Sequence, residues 1–147
     1  SEKYNFANER KSSFLKSLKL NKINFNPNYC ASVKLEEPEN SFEVIKKMLT
    51  KNKKISAIIC STEFSALSAI KACNYLNYKI GKDISIITFD GALVRDLSSP
   101  PITAVSFPVK ELGKRAINIL LDKNKNQTVN YLAKSEIIER GSVHIVS

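Results

Sequence analysis

The chain has 147 residues, 43% of them hydrophobic and 8% aromatic, which suits one domain with a sizeable buried core and excludes wholesale disorder. Its 23 basic against 14 acidic residues, a net charge of +9, invite a polyanion as partner. Against a dedicated nucleic-acid module, arginine occurs only at positions 10, 95, 115 and 140, and no aromatic residues interleave with a basic run; lysine-rich solvated faces are expected instead.

No apolar run approaches the ~20 residues that cross a bilayer, and the first residues lack the apolar stretch of a secretory signal. A cytoplasmic location without membrane contact is therefore expected. Cys30, Cys60 and Cys73 form an odd set without CxxC spacing, so neither a disulfide framework nor a zinc site is predicted. All three read as small buried hydrophobes.

Residues 7–22 carry Phe14, Leu15 and Leu18, followed by Ile23, at helical spacing among lysines, which predicts an amphipathic helix. A turn at Pro27 leads to residues 29–35, which alternate like a strand. The Glu-Glu-Pro-Glu-Asn break at 36–40 then precedes a helix capped by Asn40 or Ser41 and carrying Phe42, Val44, Ile45, Met48 and Leu49. ISAIIC at 55–60 reads as a strand buried on both faces. Ser61, Thr62 and Glu63 can cap the helix predicted over residues 64–77, whose small Ala66, Ser68, Ala69 and Ala72 permit close packing.

Gly81 marks a turn before a buried strand at 84–89, which stops at Asp90-Gly91. A polar loop then leads through Pro100-Pro101 to a strand at 102–107. Pro108 opens a helix to about residue 122 with Val109, Leu112, Ala116, Ile119 and Leu120 on one face. A polar connector at 124–130 and extended residues at 131–143 close the chain. Strands alternating with helices predict an α/β fold: a doubly wound, mostly parallel sheet flanked by helices.

In such a sheet, ligands bind beyond the carboxyl ends of the strands. That rule selects residues 36–40, 61–64 and 90–91. Asp90 can accept hydrogen bonds from a sugar hydroxyl or a base N–H, and is equally explained as a turn residue before glycine. Thr62 and Glu63 stand at a helix N-terminus, where free N–H groups welcome polar ligand atoms and where plain capping is the simpler role. Arg10, near the start of the first helix, is a surface residue by default. No GxSxG, HExxH, P-loop or GxGxxG is present, and the one histidine, His144, lies in the C-terminal tail; an enzyme is not expected.

The segment ISAIICSTEFSALSAIKACNYLNYKIGKDISIITFDG resembles regulators of the lactose-repressor/galactose-repressor family, as do Pro100-Pro101-Ile102-Thr103-Ala104-Val105, Pro108 with Gly113 and Ala116, Glu136 to Ser142, and Asn8 to Phe14. The resemblance runs over nearly the whole chain, in order. It implies a lobe of the periplasmic-binding-protein type, in which Arg10, the Thr62-Glu63 pair and Asp90 line a cleft for a small polar effector, sugar or nucleoside-like. Glu36 stands where an aromatic residue often stacks on the ligand. The chain departs from the family pattern at Thr62 (for Asn), Glu63 (for Asp), Gly91 (for Asp or Asn), Ser13 (for Gly) and Thr88 (for Gly).

The resemblance further implies that effector binding between two lobes shifts a hinge angle and so the DNA affinity of a homodimer. Residues 1–107 would be the C-terminal lobe. Residues 108–130 would be a crossover helix and connector packing on the first lobe, and residues 131–147 a returning strand. Neither a helix-turn-helix headpiece nor the family's strand before Arg10 is found, so operator DNA would be met only through a headpiece outside this chain. Two further expectations follow. The strands at 29–35 and 55–60 pair directly, or an edge between them takes a strand from another chain; and Val109, Leu112, Ile119 and Leu120 stay uncovered unless a second copy buries them. No cofactor or metal is expected. A transport-type sugar-binding protein, which shares the fold, is the alternative.

Overall fold

A computed structural model describes residues 5–34, 37–121 and 130–144. Its elements in chain order are α1 (Asn5–Leu20), a 3-10 turn (Pro27–Tyr29), α2 (Pro38–Lys51), β1 (Ala57–Cys60), α3 (Glu63–Tyr75), β2 (Ser85–Phe89), α4 (Ala92–Leu97), β3 (Thr103–Ser106), α5 (Val109–Leu121) and β4 (Glu136–Ile138). The sheet order is β1-β2-β3-β4. β1, β2 and β3 run parallel, with Ala57 opposite Ser85 and Ile87 opposite Thr103, and β4 returns antiparallel with Val105 opposite Ile137. The α/β class and the mostly parallel sheet with flanking helices are those expected.

The helix α3 is the hub. It packs on β1, β2, α2 and α4. Ala66, Ala69 and Ala72 are fully buried, as small residues must be where a helix lies close to a sheet. Thr62 opens it with a capping box: its hydroxyl accepts the Ser65 N–H at 3.2 Å, and Ser65 Oγ accepts the Thr62 N–H at 3.1 Å. Phe42, Ile45 and Leu49 of α2 join Ile84, Ile86, Val94 and Ile102 in one core.

Ser142 holds the sheet where β2 and β3 are not yet paired. Its hydroxyl donates to the Ile86 carbonyl at 2.6 Å and accepts the Thr103 N–H at 2.8 Å, and its own carbonyl accepts the Ile86 N–H at 3.0 Å. A fully buried residue thus bridges two strands and satisfies their backbone groups.

Several expectations are corrected. Residues 29–34, the described part of the strand expected at 29–35, do not form a strand. Asn26 accepts the Asn28 N–H at 3.0 Å and Pro27 fixes the backbone of a 3-10 turn, after which residues 30–34 lie outside any assigned strand. The alternation survives only as burial of Val33. Direct pairing of 29–35 with 55–60 is therefore absent among the described residues, and β1 stands at the edge of the described sheet.

β1 is not buried on both faces either; Ile59 is 53% exposed. Cys60 and Cys73 are buried as expected, but Cys30 is exposed. The helix after the 36–40 break begins earlier than foreseen, at Pro38, with Glu37 rather than Asn40 or Ser41 at its N-cap. The polar loop expected after Gly91 contains the helix α4, with Val94 fully buried.

The apolar stripes of the two outer helices remain open. In α1 only Ala7 is buried and Phe14 is exposed, as is Ile23 just beyond the helix, and in α5 no residue is buried. The uncovered face foreseen for Val109, Leu112, Ile119 and Leu120 is what the structure shows. The connector at 124–130 lies outside the described residues except for Asn130, as do residues 145–147 of the tail. Among the described residues no helix is long and apolar enough to cross a membrane.

Candidate ligand site

Parallel pairing places the carboxyl ends of β1, β2 and β3 together, and Arg10 reaches all three. Its guanidinium donates to the Ser61 carbonyl just past β1. It lies 4.3 Å from the centroid of Phe89, the last residue of β2, and 5.9 Å from that of Phe107, just past β3. Phe6, one turn earlier on α1, lies 5.1 Å away. A planar, weakly hydrated guanidinium stacks on rings while its edge donates in plane, which an ammonium cannot do.

Asp90 follows Phe89 directly. Its Oδ2 is 4.0 Å from Arg10 Nη2, and its backbone N–H donates to the Val105 carbonyl at 2.8 Å. Asp90 adopts φ +72° and Gly91 φ +76°, two successive left-handed residues that end the strand sharply and raise the carboxylate at the sheet end. Gly91 is required there. A Cβ at this position would sit 2.2 Å from the Ala104 Cβ. With the Asp90 side chain about half exposed, the pair contributes little to stability, up to ~1 kcal/mol. It leaves charged, solvent-facing hydrogen-bonding edges instead.

Thr62 and Glu63 sit beside Ser61 and so near the same end. The Thr62 hydroxyl is engaged in the α3 capping box. Glu63 Oε1 accepts the Leu93 N–H at 2.6 Å, capping the first turn of α4 from thirty residues away. Both residues therefore carry structural duties, and the structure brings Arg10, Thr62, Glu63 and Asp90 to a single end of the sheet. Glu36 lies outside the described residues.

Sequence reasoning missed the three phenylalanines and the Ser61 carbonyl. Phe89 and Phe107 read as the last apolar positions of buried strands, and a backbone carbonyl has no sequence signature. Around Arg10 the site thus offers an anionic acceptor, a fork of N–H donors and aromatic walls. That set suits a small, polyhydroxylated or planar polar molecule. Among the described residues no group of His, Cys, Asp and Glu is placed to hold a metal ion.

The arrangement, a parallel α/β layer with polar groups gathered at its strand ends, defines a periplasmic-binding-protein-like lobe. The sequence matches the family described as periplasmic binding protein-like domain over residues 2–143, and the chain belongs to it. It is 30% identical over 133 residues to the HTH-type transcriptional repressor PurR of Haemophilus influenzae, covering 89% of this chain and 39% of that protein. It is 32% identical over 117 residues to the HTH-type transcriptional regulator RegA of Clostridium saccharobutylicum, covering 78% of this chain and 34% of that one.

Among solved structures, a LacI family transcriptional regulator from Bifidobacterium animalis subsp. lactis superposes with a TM-score of 0.84 at 23% identity, over 100% of this chain and 54% of that one. A sugar-binding transcriptional regulator of the LacI family from Escherichia coli, complexed with phosphate, gives 0.83 at 23%, over 97% and 52%. The sequence relatives include HTH-type transcriptional repressors and regulators, and the structural neighbours share the chain's fold. It spans about two fifths of the length of the first curated relatives it matches.

Proposed function

We propose that this chain is the C-terminal lobe of the small-ligand sensor in a bacterial transcription regulator, and that Arg10, Asp90, Thr62 and Glu63 face its effector. Glu36 is included as a fifth contact on the sequence resemblance alone. The observation that carries the reading is the convergence on Arg10 of Ser61, Phe89, Asp90 and Phe107 from three parallel strand ends. Acceptor, donor and ring surfaces together favour a sugar or a nucleoside-like molecule over a simple ion. The protein is not an enzyme in this reading: no nucleophile–base pair lines the site among the described residues.

The effector binds between this lobe and another, onto which α5 folds through its open face of Val109, Leu112 and Leu120. Closure changes a hinge angle and thereby DNA affinity, with DNA held through a headpiece on the longer protein. That the sequence relatives are transcriptional repressors and regulators favours this over a transport-type binding protein. A cytoplasmic location follows from the same reading. Phe64 at the start of α3, with Leu93 and Leu97 on α4, are exposed apolar residues suited to a homodimer contact.

The test is a thermal-shift screen of sugars and purines on the full gene product. A ligand selective for the native state raises the melting temperature, and Arg10→Ala or Asp90→Ala abolishes that rise. A ligand whose effect both variants keep would place the effector elsewhere.

A further inference from the structure

Lys51, Lys53 and Lys54 cluster in the sequence, and the fold adds Lys79 and Lys82 to them at the end of the sheet opposite the candidate site. Lys51 ends α2, Lys53 and Lys54 follow it, and the chain then runs into β1 at its amino end. Lys79 and Lys82 lie in the turn that leads into β2, also at its amino end. Parallel pairing brings these two turns side by side. The Ser85 N–H donates to the Ser56 carbonyl at 2.8 Å, and Lys53 Nζ lies 5.9 Å over the Tyr78 ring.

All five lysines are exposed, and none is in a salt bridge among the described residues. Asp83, the one carboxylate on the two turns, is itself exposed and accepts the Lys79 N–H at 2.7 Å, so the turns carry five positive charges against one negative. The patch therefore presents a concentrated, net positive field.

Its chemistry selects the occupant. A protein interface needs apolar or aromatic anchors that become buried, and here Ile80 and Ile84 are already buried while Ile55 and Tyr78 are half-buried. A single-stranded nucleic acid needs exposed rings for stacking, and the one ring on the two turns, Tyr78, is half-buried with Lys53 Nζ 5.9 Å over it. Flexible ammonium groups without Arg forks suit phosphates, not base edges. We propose that this end of the domain binds the phosphate backbone of duplex DNA without reading its sequence.

Labelled duplex DNA of mixed sequence is titrated with the 147-residue chain at rising salt, with anisotropy as readout. The expected dependence of log affinity on log salt has a slope of about −3 to −5, from ~0.9 per phosphate neutralised by four to five lysines. Combining Lys53→Gln, Lys54→Gln, Lys79→Gln and Lys82→Gln lowers affinity at least ~tenfold and flattens the slope by about 3. The control set Lys11→Gln, Lys16→Gln, Lys19→Gln and Lys22→Gln removes the same charge from α1 and the turn just after it and leaves affinity within about threefold.

A second readout needs no variant: duplex DNA protects Lys53, Lys54, Lys79 and Lys82 from acetylation, read by mass spectrometry, and leaves the α1 lysines reactive. Equal losses in the two variant sets, or uniform protection, would show net charge at work and overturn the proposal. So would an unaltered chain that ignores DNA at low salt, or one that binds phosphatidylserine–phosphatidylcholine vesicles in its place.

Discussion

The guanidinium of Arg10 stacks 4.3 Å from the ring of Phe89, joining a helix with a single buried residue to the end of β2. Since Ala7 is the one buried residue of α1 among those described, much of what docks this helix passes through Arg10. The same side chain therefore positions an element and presents polar edges at the candidate site.

Replacing Arg10 with lysine separates the two duties. The ammonium keeps the charge and loses the flat stack and the in-plane bond to Ser61. The expected cost in stability is about 1 kcal/mol, read by urea denaturation, while effector affinity falls ~tenfold or more. A variant that keeps full affinity would remove Arg10 from the site.

Ser142→Ala tests the bridge between β2 and β3. It strips the Thr103 N–H of its acceptor and the Ile86 carbonyl of a donor, both in a fully buried setting. Leaving buried groups unpaired costs about 2–4 kcal/mol, seen as a lower denaturation midpoint without change in the candidate site.

Gly91→Ala meets two penalties at once, a left-handed backbone and an overlap with Ala104. Destabilisation of about 2–4 kcal/mol is expected, and it should disturb Asp90 with it. The measurement is thermal melting beside Gly113→Ala, where an added Cβ meets nothing within 4 Å. In the middle of α5 that control is neutral or stabilising.

The buried thiols give a pH signature. Burial pushes Cys60 from 9.0 up to about 12, with Cys73 nearby adding to the rise and a Ser65 hydrogen bond opposing it; burial alone takes Cys73 from 9.0 to about 11. Above pH 9 the unfolded chain releases these protons while the folded chain keeps them. Stability is therefore full below pH 9 and falls as pH rises towards 11, by up to ~1.4 kcal/mol per pH unit for each thiol. With a thiol reagent at pH 8, exposed Cys30 is expected to react first, and Cys60 and Cys73 only on unfolding.

Those elements fixed by local pattern were legible in the sequence. The strand ending at Asp90, the helix after Thr62 and the turn at Gly81 all rest on residues within a few positions of each other. What escaped depends on distant partners. α4 is only six residues long and is capped by Glu63, so its signal lies on another element. The alternation at 29–35 looked like a strand because Val33 does face the core, yet a ladder also needs a neighbour, which no local pattern supplies. The basic patch was half legible: Lys51, Lys53 and Lys54 are close in sequence, but the turn carrying Lys79 and Lys82 joins them only because β1 and β2 are parallel and in register.

A polar effector seated against Arg10 and Asp90 at the strand ends is what the proposed function depends on. It is tested most directly by an NMR titration of the labelled chain with the ligand found by thermal screening, a readout that reports contacts even at millimolar affinity. Saturable shifts are expected at Arg10 Nε–Hε and at the amides of Ser61, Asp90 and Gly91, absent with Asp90→Ala. Shifts confined to other faces of the domain, or unchanged by that substitution, would contradict it.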